Sequence, residues 1–251
     1  MKVIFHPRFY EVYTGDPASA PGRMEAIVKQ LKGKFEFIEP EPASERDVER
    51  VHGRDHIQSV KQEDRVYELG LLAAGGAIAA AELAFGGEPA FGLIRPPGHH
   101  ASPHSCWGFC YFNNIAIAMK RLLSEGKIKR ALVLDFDLHY GDGTANTFSR
   151  STEVTYSHPE GSNRDLFLKD LQRTLQTEKE YDILAVSAGF DRHEEDWGGL
   201  LRTEDYFNIG KWVKESSLQH CQGRRLGVLE GGYNHAVLGR NVARFLQGLM
   251  D

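Results

Sequence analysis

Short apolar runs alternate with longer amphipathic segments along almost the whole chain. The runs are rich in Leu, Val and Ile and predict strands at Val3–Phe5, Ala90–Ile94, Ala131–Asp135, Val154–Ser157, Ile183–Ser187 and Leu226–Leu229. The segments between them have the spacing of helices at Arg23–Leu31, Leu69–Phe85, Asn114–Ser124, Leu166–Thr177, Thr203–His220 and Ala236–Leu249. Apolar strands separated by helices are typical of a parallel sheet that is covered on both faces. The pattern therefore predicts a three-layer α/β fold with a central, mostly parallel sheet.

No repeat, low-complexity tract or linker interrupts this alternation, so residues 1–251 are expected to form one domain. With 41% hydrophobic and 26% charged residues, the composition is that of an ordinary globular protein with a sizeable core. A net charge of -5 and a pI near 6.1 argue against nucleic acid as a partner.

The segment MKVIFHPRFY at the start of the chain predicts a first strand rather than a signal peptide, and no apolar run suggests a membrane span. Three cysteines are too few for a disulfide framework and fit a reducing compartment, so we expect a cytoplasmic protein. Cys106 and Cys110 have the spacing of a zinc pair. Without a second pair nearby, small buried residues are the favoured interpretation of these two cysteines.

Polar residues follow four of the predicted strands. Ile94 leads into RPPGHH, Leu134 into DFDLHYGDG, Ser187 into AGFDRHEED and Leu229 into EGGYN. Ligands of open α/β sheets bind at the carboxyl ends of the strands. We therefore expect these four segments to build one site at one edge of the sheet.

The segment DFDLHYGDG carries the strongest chemical signal. Asp135, Asp137 and His139 occupy alternate positions, so in an extended backbone they point to one face. Two carboxylates and an imidazole on one face are costly unless a positive charge lies among them, which favours a divalent metal. Asp191 is best placed to add a ligand and complete an open catalytic site. The alternative for this segment alone is a hydrogen-bonded polar strand end.

Five motifs together give the chain a specific resemblance. They are RPPGHHA (95–101), GFCYFNN (108–114), DFDLHYGDGT (135–144), SAGFD (187–191) and EGGYN (230–234). Weaker matches are APGRMEAI (20–27), RVHGRDHIQSV (50–60) and LLAAGGAI (71–78). In this order they resemble the histone deacetylase-type hydrolases, which include acetylpolyamine amidohydrolases and acetoin-utilisation proteins. The resemblance implies an arginase/deacetylase-like fold and a zinc-dependent amidohydrolase.

The resemblance also implies a role for each motif residue. One zinc ion per chain would be held by Asp137, His139 and Asp191. His99 would be supported by Asp135 and act mainly through its charge, whereas His100 would be supported by Asp142 and act as general base and then general acid. Tyr233 would donate its hydroxyl to the developing oxyanion.

Further residues carry weaker implications from the same resemblance. Gly108, Phe109 and Gly232 would line the substrate site, and Arg23 matches a basic residue near the family's acetate-release channel. A potassium ion would lie behind the zinc, held by Asp135, Asp137, His139, Ser157 and His158. His104, His193 and His235 are expected at the rim at most.

Two other functions stay open at this point. One is an arginase-like ureohydrolase with two manganese ions, although SAGFD offers one aspartate where two bridged ions need more carboxylates. The other is a non-catalytic binder of acylated ligands. The substrate is also open, because acetyl-lysine, acetylated polyamines and other small N-acyl amines present the same amide. The oligomeric state is open as well.

The chain departs from larger members of the family in two loops. Only KQEDRVYELGL lies between Val60 and Leu72, so a loop with a peptide-gripping aspartate is expected to be missing. HPEGSNRD after Ser157 lacks the aromatic residue that would face Phe109. These departures predict a wide, shallow mouth over the metal.

Overall fold

The computed structural model describes residues 1–251 and contains one seven-stranded sheet. Its strands are β1 (Lys2–Ile4), β2 (Glu36–Ile38), β3 (Ala90–Gly92), β4 (Ala131–Asp135), β5 (Val154–Ser157), β6 (Ile183–Ala188) and β7 (Arg225–Leu229). The spatial order is β2-β1-β3-β7-β6-β4-β5, and all neighbouring strands run parallel. The predicted α/β class with a parallel central sheet is confirmed. The edge strand β2 was not predicted, because it is short and only half-buried.

Nine α-helices surround the sheet. They are α1 (Arg23–Leu31), α2 (Glu45–Val48), α3 (Arg54–Val60), α4 (Asp64–Phe85), α5 (Asn114–Ser124), α6 (Asp142–Phe148), α7 (Arg164–Thr177), α8 (Thr203–His220) and α9 (His235–Met250). All six helices expected from periodicity are present. The short helices α2, α3 and α6 were not among the six, and α4 begins at Asp64 rather than Leu69.

The helices form two packed groups. Helices α4 and α5 pack together, and α4 also covers β1, β3 and β7. Helix α9 packs on α1 and α8, and α8 also contacts β6 and β7. A single hydrophobic core joins both groups to the sheet, and β4, β6 and β7 are buried over their whole length. This burial explains why these three strands are almost continuously apolar.

By length and composition, helix α4 could cross a membrane, although the sequence was expected to contain no such segment. Its most apolar window has a mean hydropathy of 1.5, but 67% of that window is buried inside the protein. Packing against the sheet and α5 therefore accounts for its apolar character.

The strand order determines where the chemistry is assembled. Strands β3, β7, β6 and β4 are consecutive in the sheet, and these are the four strands followed by polar motifs. Asp135 is in register with Ser187, and Ala188 is in register with Leu229. The motifs therefore leave the sheet side by side at its carboxyl edge, as expected.

Candidate active site

A buried Asp-His-Asp group forms the centre of the site. The ligand-type atoms of Asp137, His139 and Asp191 all lie within 4.8 Å of one another. His139 Nδ1 is 3.3 Å from Asp137 Oδ1 and 3.1 Å from Asp191 Oδ2. Asp191 Oδ2 is buried and lacks a well-aligned hydrogen-bond donor. A buried carboxylate oxygen that faces an imidazole nitrogen without a donor of its own fits a metal ligand.

The electrostatics of this group also fit a cation. Burial, together with the charge of Asp137, raises the pKa of Asp191 to about 6. Burial also opposes ionisation of Asp137, but His99 and hydrogen bonds from His139 and Gly231 outweigh it and lower the pKa of Asp137. Hydrogen bonds to both carboxylates raise the pKa of His139 to about 10. Two close buried carboxylates with one imidazole form the oxygen and nitrogen set that suits a divalent metal such as zinc.

The backbone of neighbouring loops holds the two carboxylates in place. The amide of Gly231 donates to Asp137 Oδ2 over 2.8 Å, and the amide of Leu138 donates to Asp191 Oδ1 over 3.0 Å. A Cβ atom at Gly231 would stand 2.6 Å from Asp137 Oδ2 and 2.7 Å from Asp191 Oδ2. Only glycine leaves room for this close approach of main chain and ligands.

The two adjacent histidines each contact an aspartate. His99 Nδ1 is 3.0 Å from Asp135 Oδ2, and His100 Nδ1 is 2.7 Å from Asp142 Oδ1. Both rings are buried, with their centroids 4.1 Å apart. The aspartates leave Nε2 of each ring available for other partners.

The environment shifts the pKa values of His99 and His100 in opposite directions. Burial works to lower the pKa of His99, but Asp137 and Asp135 outweigh it and raise the pKa well above its ordinary value. Burial and the positive charge of His99 lower the pKa of His100. At neutral pH the pair therefore has one charged and one neutral imidazole, and the neutral one, His100, can accept a proton.

Tyr156 is a site residue that sequence reasoning missed. Its hydroxyl donates to Asp135 Oδ2 over 3.0 Å and accepts from the amide of Gly141 over 2.9 Å. It thereby fixes the carboxylate that orients His99. Tyr156 lies in β5, outside every recognisable motif, so no local signal pointed to it.

Tyr233 borders the cavity and is held by the loop that follows β6. Its amide and that of Asn234 each donate to Asp196 Oδ2 over 2.8 Å. Its ring stacks on Trp197 at 4.1 Å and meets the edge of Phe109 at 5.9 Å. Burial raises the pKa of Tyr233, so its hydroxyl stays protonated and able to donate.

Two tryptophans that were not predicted as site residues line the mouth of the site. A cavity of about 350 Å³ lies over the Asp-His-Asp group, bounded by His100, Trp107, Gly108, Phe109, His139, Trp197 and Tyr233. The two tryptophans are more than half exposed, at 56% for Trp107 and 53% for Trp197. Aromatic side chains from two other loops therefore flank the cavity, and the wide, shallow mouth stays a prediction. The loop between α3 and α4 is short as expected, since it contains only Lys61–Glu63.

Trp107 also contacts His100 and its aspartate directly. Its ring lies 4.0 Å from the ring of His100, and its indole nitrogen donates to Asp142 Oδ2 over 2.9 Å. The next two residues, Gly108 and Phe109, have positive φ angles of 59° and 66°. A Cβ at Gly108 would overlap the His100 imidazole. For the bulky Phe109 the conformation is an outlier, typical of residues held in place at functional sites.

Arg23 is fully buried. A lone arginine at the start of a helix usually lies at the surface, so this burial is unusual. Its guanidinium donates to the carbonyl oxygens of Gly232 over 2.8 Å and of Glu230 over 2.6 Å. The Glu230 carboxylate accepts from the amides of Gly98 and His99 over 2.7 and 3.2 Å. These contacts tie the Tyr233 loop to the histidine loop.

A second set of ligand-type atoms comes from His99, Cys110 and Glu230. Each already has a protein partner: Asp135 for the imidazole, the carbonyl of Gly108 for the thiol, and two backbone amides for the carboxylate. Cys110 is buried as expected, whereas Cys106 is only partly buried, so the expectation of two buried cysteines is correct for Cys110 alone. Of the three expected rim histidines, His193 is buried and interacts with Thr203.

Comparisons with known proteins agree with this geometry. A family model described as the histone deacetylase domain matches residues 17–159 and 157–249. A probable deacetylase of Methanothermobacter thermautotrophicus is 30% identical, over 98% of this chain and 90% of that protein. An acetylpolyamine amidohydrolase of Mycoplana ramosa is 30% identical, over 73% of this chain and 63% of that protein. The crystal structure of the HDA15 HD domain shows the same fold, with a TM-score of 0.85 and 23% identity over 100% of this chain and 91% of that one.

Proposed function

The chain belongs to the histone deacetylase family, and on that premise we propose that it is a zinc-dependent amidohydrolase that removes acetyl groups from N-acetylated amines. One observation carries the proposal. The Asp-His-Asp group, the two histidines with their aspartates and Tyr233 converge on one cavity at the carboxyl edge of the sheet. That combination supplies a metal site, a base and an oxyanion donor, which are the parts that amide hydrolysis needs.

Asp137, His139 and Asp191 would hold the zinc. A zinc ion bound by these residues would acidify a water molecule and polarise the scissile carbonyl. His139 is partly exposed toward the cavity, whereas both aspartates are buried. The open side of the group therefore faces the space where a substrate would enter.

His100 is the general base in this proposal. Its Nδ1 is engaged by Asp142, so its Nε2 takes the proton from the attacking water and later gives it to the leaving nitrogen. His99, which stays charged, stabilises negative charge next to it. Tyr233 donates its hydroxyl to the carbonyl oxygen as that oxygen becomes negative.

The shape of the mouth supports a small N-acetylated amine as the substrate. Trp107 and Trp197 offer aromatic faces at the rim, and such faces bind alkyl chains and attract ammonium groups. The short Lys61–Glu63 connection leaves little protein to grip a peptide backbone. A relative that carries the name acetylpolyamine amidohydrolase is consistent with this choice.

A substrate panel tests the proposal. The zinc-loaded protein is assayed for acetate release from a free acetylated polyamine and from acetyl-lysine peptides that differ in flanking residues. We expect turnover of the small amine and weak dependence on the flanks. A preference of more than about 100-fold for one peptide context, about 2.7 kcal/mol of transition-state binding, would contradict the small-amine assignment.

Metal stoichiometry and turnover separate the proposal from the other two functions. Elemental analysis should find one zinc per chain, because one Asp-His-Asp group is assembled at the cavity. Two ions per chain would favour a ureohydrolase. A zinc-loaded protein that binds N-acetyl amines without hydrolysing them would favour the binder. A metal-free protein with full activity would overturn the zinc assignment.

A further inference from the structure

Arg192 is a buried cation directly behind the metal-ligand group. It follows Asp191 in the chain, and only 7% of it is exposed. Its Nε donates to the carbonyl oxygens of Phe136 over 3.1 Å and of Asp137 over 3.0 Å. Its Nη2 is 3.4 Å from the carbonyl oxygen of Leu138. One guanidinium thus binds three successive carbonyl groups of the segment that carries the metal ligands.

These contacts lie where the family resemblance implies a potassium ion. The same Nη2 donates to His158 Nε2 over 2.9 Å, because a guanidinium offers donors and no acceptor. Of the five residues expected to hold potassium, Asp137 through its carbonyl and His158 through its ring are therefore already bound to Arg192.

Two of the other three expected potassium ligands, Asp135 and Ser157, also have protein partners. Asp135 Oδ2 accepts from Tyr156 and pairs with His99, while Asp135 Oδ1 accepts from the amide of Asp137. Ser157 Oγ faces Thr174 Oγ1 at 3.4 Å. Potassium needs a shell of several oxygen atoms directed at one point. The Asp137 carbonyl and the His158 ring do not fit that ion, because both are hydrogen-bonded to a guanidinium whose positive charge would repel it.

We propose that the guanidinium of Arg192 is the resident cation behind the metal centre and replaces a bound potassium ion in this protein. The inference rests on the proposed metal site but not on the identity of the substrate. Burial lowers the pKa of Arg192, yet an arginine starts so far above neutrality that it stays charged. The ring of Phe167 covers the guanidinium at 4.4 Å and separates it from solvent.

Arg192 is accordingly a positioning residue that acts through the metal ligands. It fixes the backbone from Phe136 to Leu138, and its charge offsets the buried carboxylates of Asp137 and Asp191. A tethered cation does not exchange with salt. Zinc retention and thermal stability should therefore be independent of the monovalent cation in the buffer.

The first experiment compares the zinc-loaded protein in potassium chloride, sodium chloride and choline chloride at equal ionic strength. The readouts are the melting temperature and zinc retention against a competing chelator, and neither requires turnover. We expect the same values in all three salts. A lower melting temperature or faster zinc loss in choline chloride than in potassium chloride would overturn the inference.

The second experiment compares Arg192→Lys with Arg192→Gln. Loss of a group that orients metal ligands typically weakens metal affinity by about 10- to 100-fold, so Gln should lose zinc by that factor. Lys retains the charge and should recover most of the affinity. Arg202→Gln is the matched control, because Arg202 is 67% exposed and lies 3.7 Å from Glu194 at the surface.

Two outcomes of this comparison would refute the role of the charge. Equal zinc loss in Lys and Gln would mean that shape rather than charge is required. Wild-type zinc retention in Gln would mean that Arg192 does not support the site. If the protein retains zinc as predicted but hydrolyses no acetylated amine, the proposed function fails and this inference stands.

Discussion

Replacing Tyr233 by Phe removes a single oxygen atom from the site. The ring does not depend on that oxygen for its position, because it stacks on Trp197 at 4.1 Å and packs edge-on with Phe109 at 5.9 Å. The loop is held separately, by the hydrogen bond from the Tyr233 amide to Asp196. The variant should therefore keep the wild-type geometry and lose only the hydroxyl donor.

The expected cost follows from what the hydroxyl does in the transition state. Removing one oxyanion donor typically lowers kcat by about 10² to 10³, or roughly 2.7–4 kcal/mol. The upper part of this range applies where water is excluded, and Tyr233 is packed between Trp197 and Phe109 at the cavity. The donor bond strengthens as the carbonyl becomes negative, so kcat should fall far more than KM rises.

The assay is steady-state acetate release by zinc-loaded protein from a small N-acetylated amine. Zinc content and melting temperature are measured in parallel and should match the wild type. Tyr140→Phe is the control, since Tyr140 is 54% exposed and its loss should leave kcat unchanged. A Tyr233→Phe variant with full zinc content and a kcat within about threefold of the wild type would refute the assigned role.

Two further predictions concern the proton-transfer pair. Burial and the charge of His99 lower the pKa of His100 below its ordinary value of 6.5. Because only the neutral imidazole can accept a proton, kcat/KM should decline as the pH falls through that lowered pKa. A decline centred above pH 7 would contradict the assignment of His100 as the base. Trp107→Phe keeps an aromatic ring on His100 but removes the indole N–H that donates to Asp142. This hydrogen bond is half-exposed and contributes about 1 kcal/mol, so kcat/KM should fall about fivefold. A Trp107→Ala variant that loses no more activity than Trp107→Phe would show that the stacking contributes nothing.

The parallel sheet and the position of the site were predictable from the sequence because both depend on short-range patterns. Buried strands such as β4 and β6 are apolar over their whole length, and that signal is contained in consecutive residues. The alternation of Asp135, Asp137 and His139 pointed to the right residues, but the extended segment it predicted was wrong: the strand ends at Asp135, which pairs with His99, and the bend after it brings Asp137 and His139 to Asp191. The elements outside the predicted list, β2, α2, α3 and α6, are short and carry at most three buried residues each, so their periodicity is too weak to detect.

The surroundings of the metal group were not predictable in this way. Trp107 and Trp197 looked like ordinary loop residues, and Tyr156 lies in a strand without a motif. Asp196 supports Tyr233 across 37 positions of the chain, and Arg192 reaches back across more than 50 positions to the carbonyls beside Asp137. No spacing in the sequence indicates such partners.

The chain by itself determined which chemistry is available, since the residue types that we propose for a metal site, a base and an oxyanion donor stand at fixed positions after strands. The tertiary structure decided which aromatic rings line the cavity and which cationic side chain lies next to the proposed metal ligands. The physical reason is the range of the interactions. Hydrophobic periodicity is a property of neighbouring residues, whereas a guanidinium that finds three carbonyl groups depends on how distant loops pack.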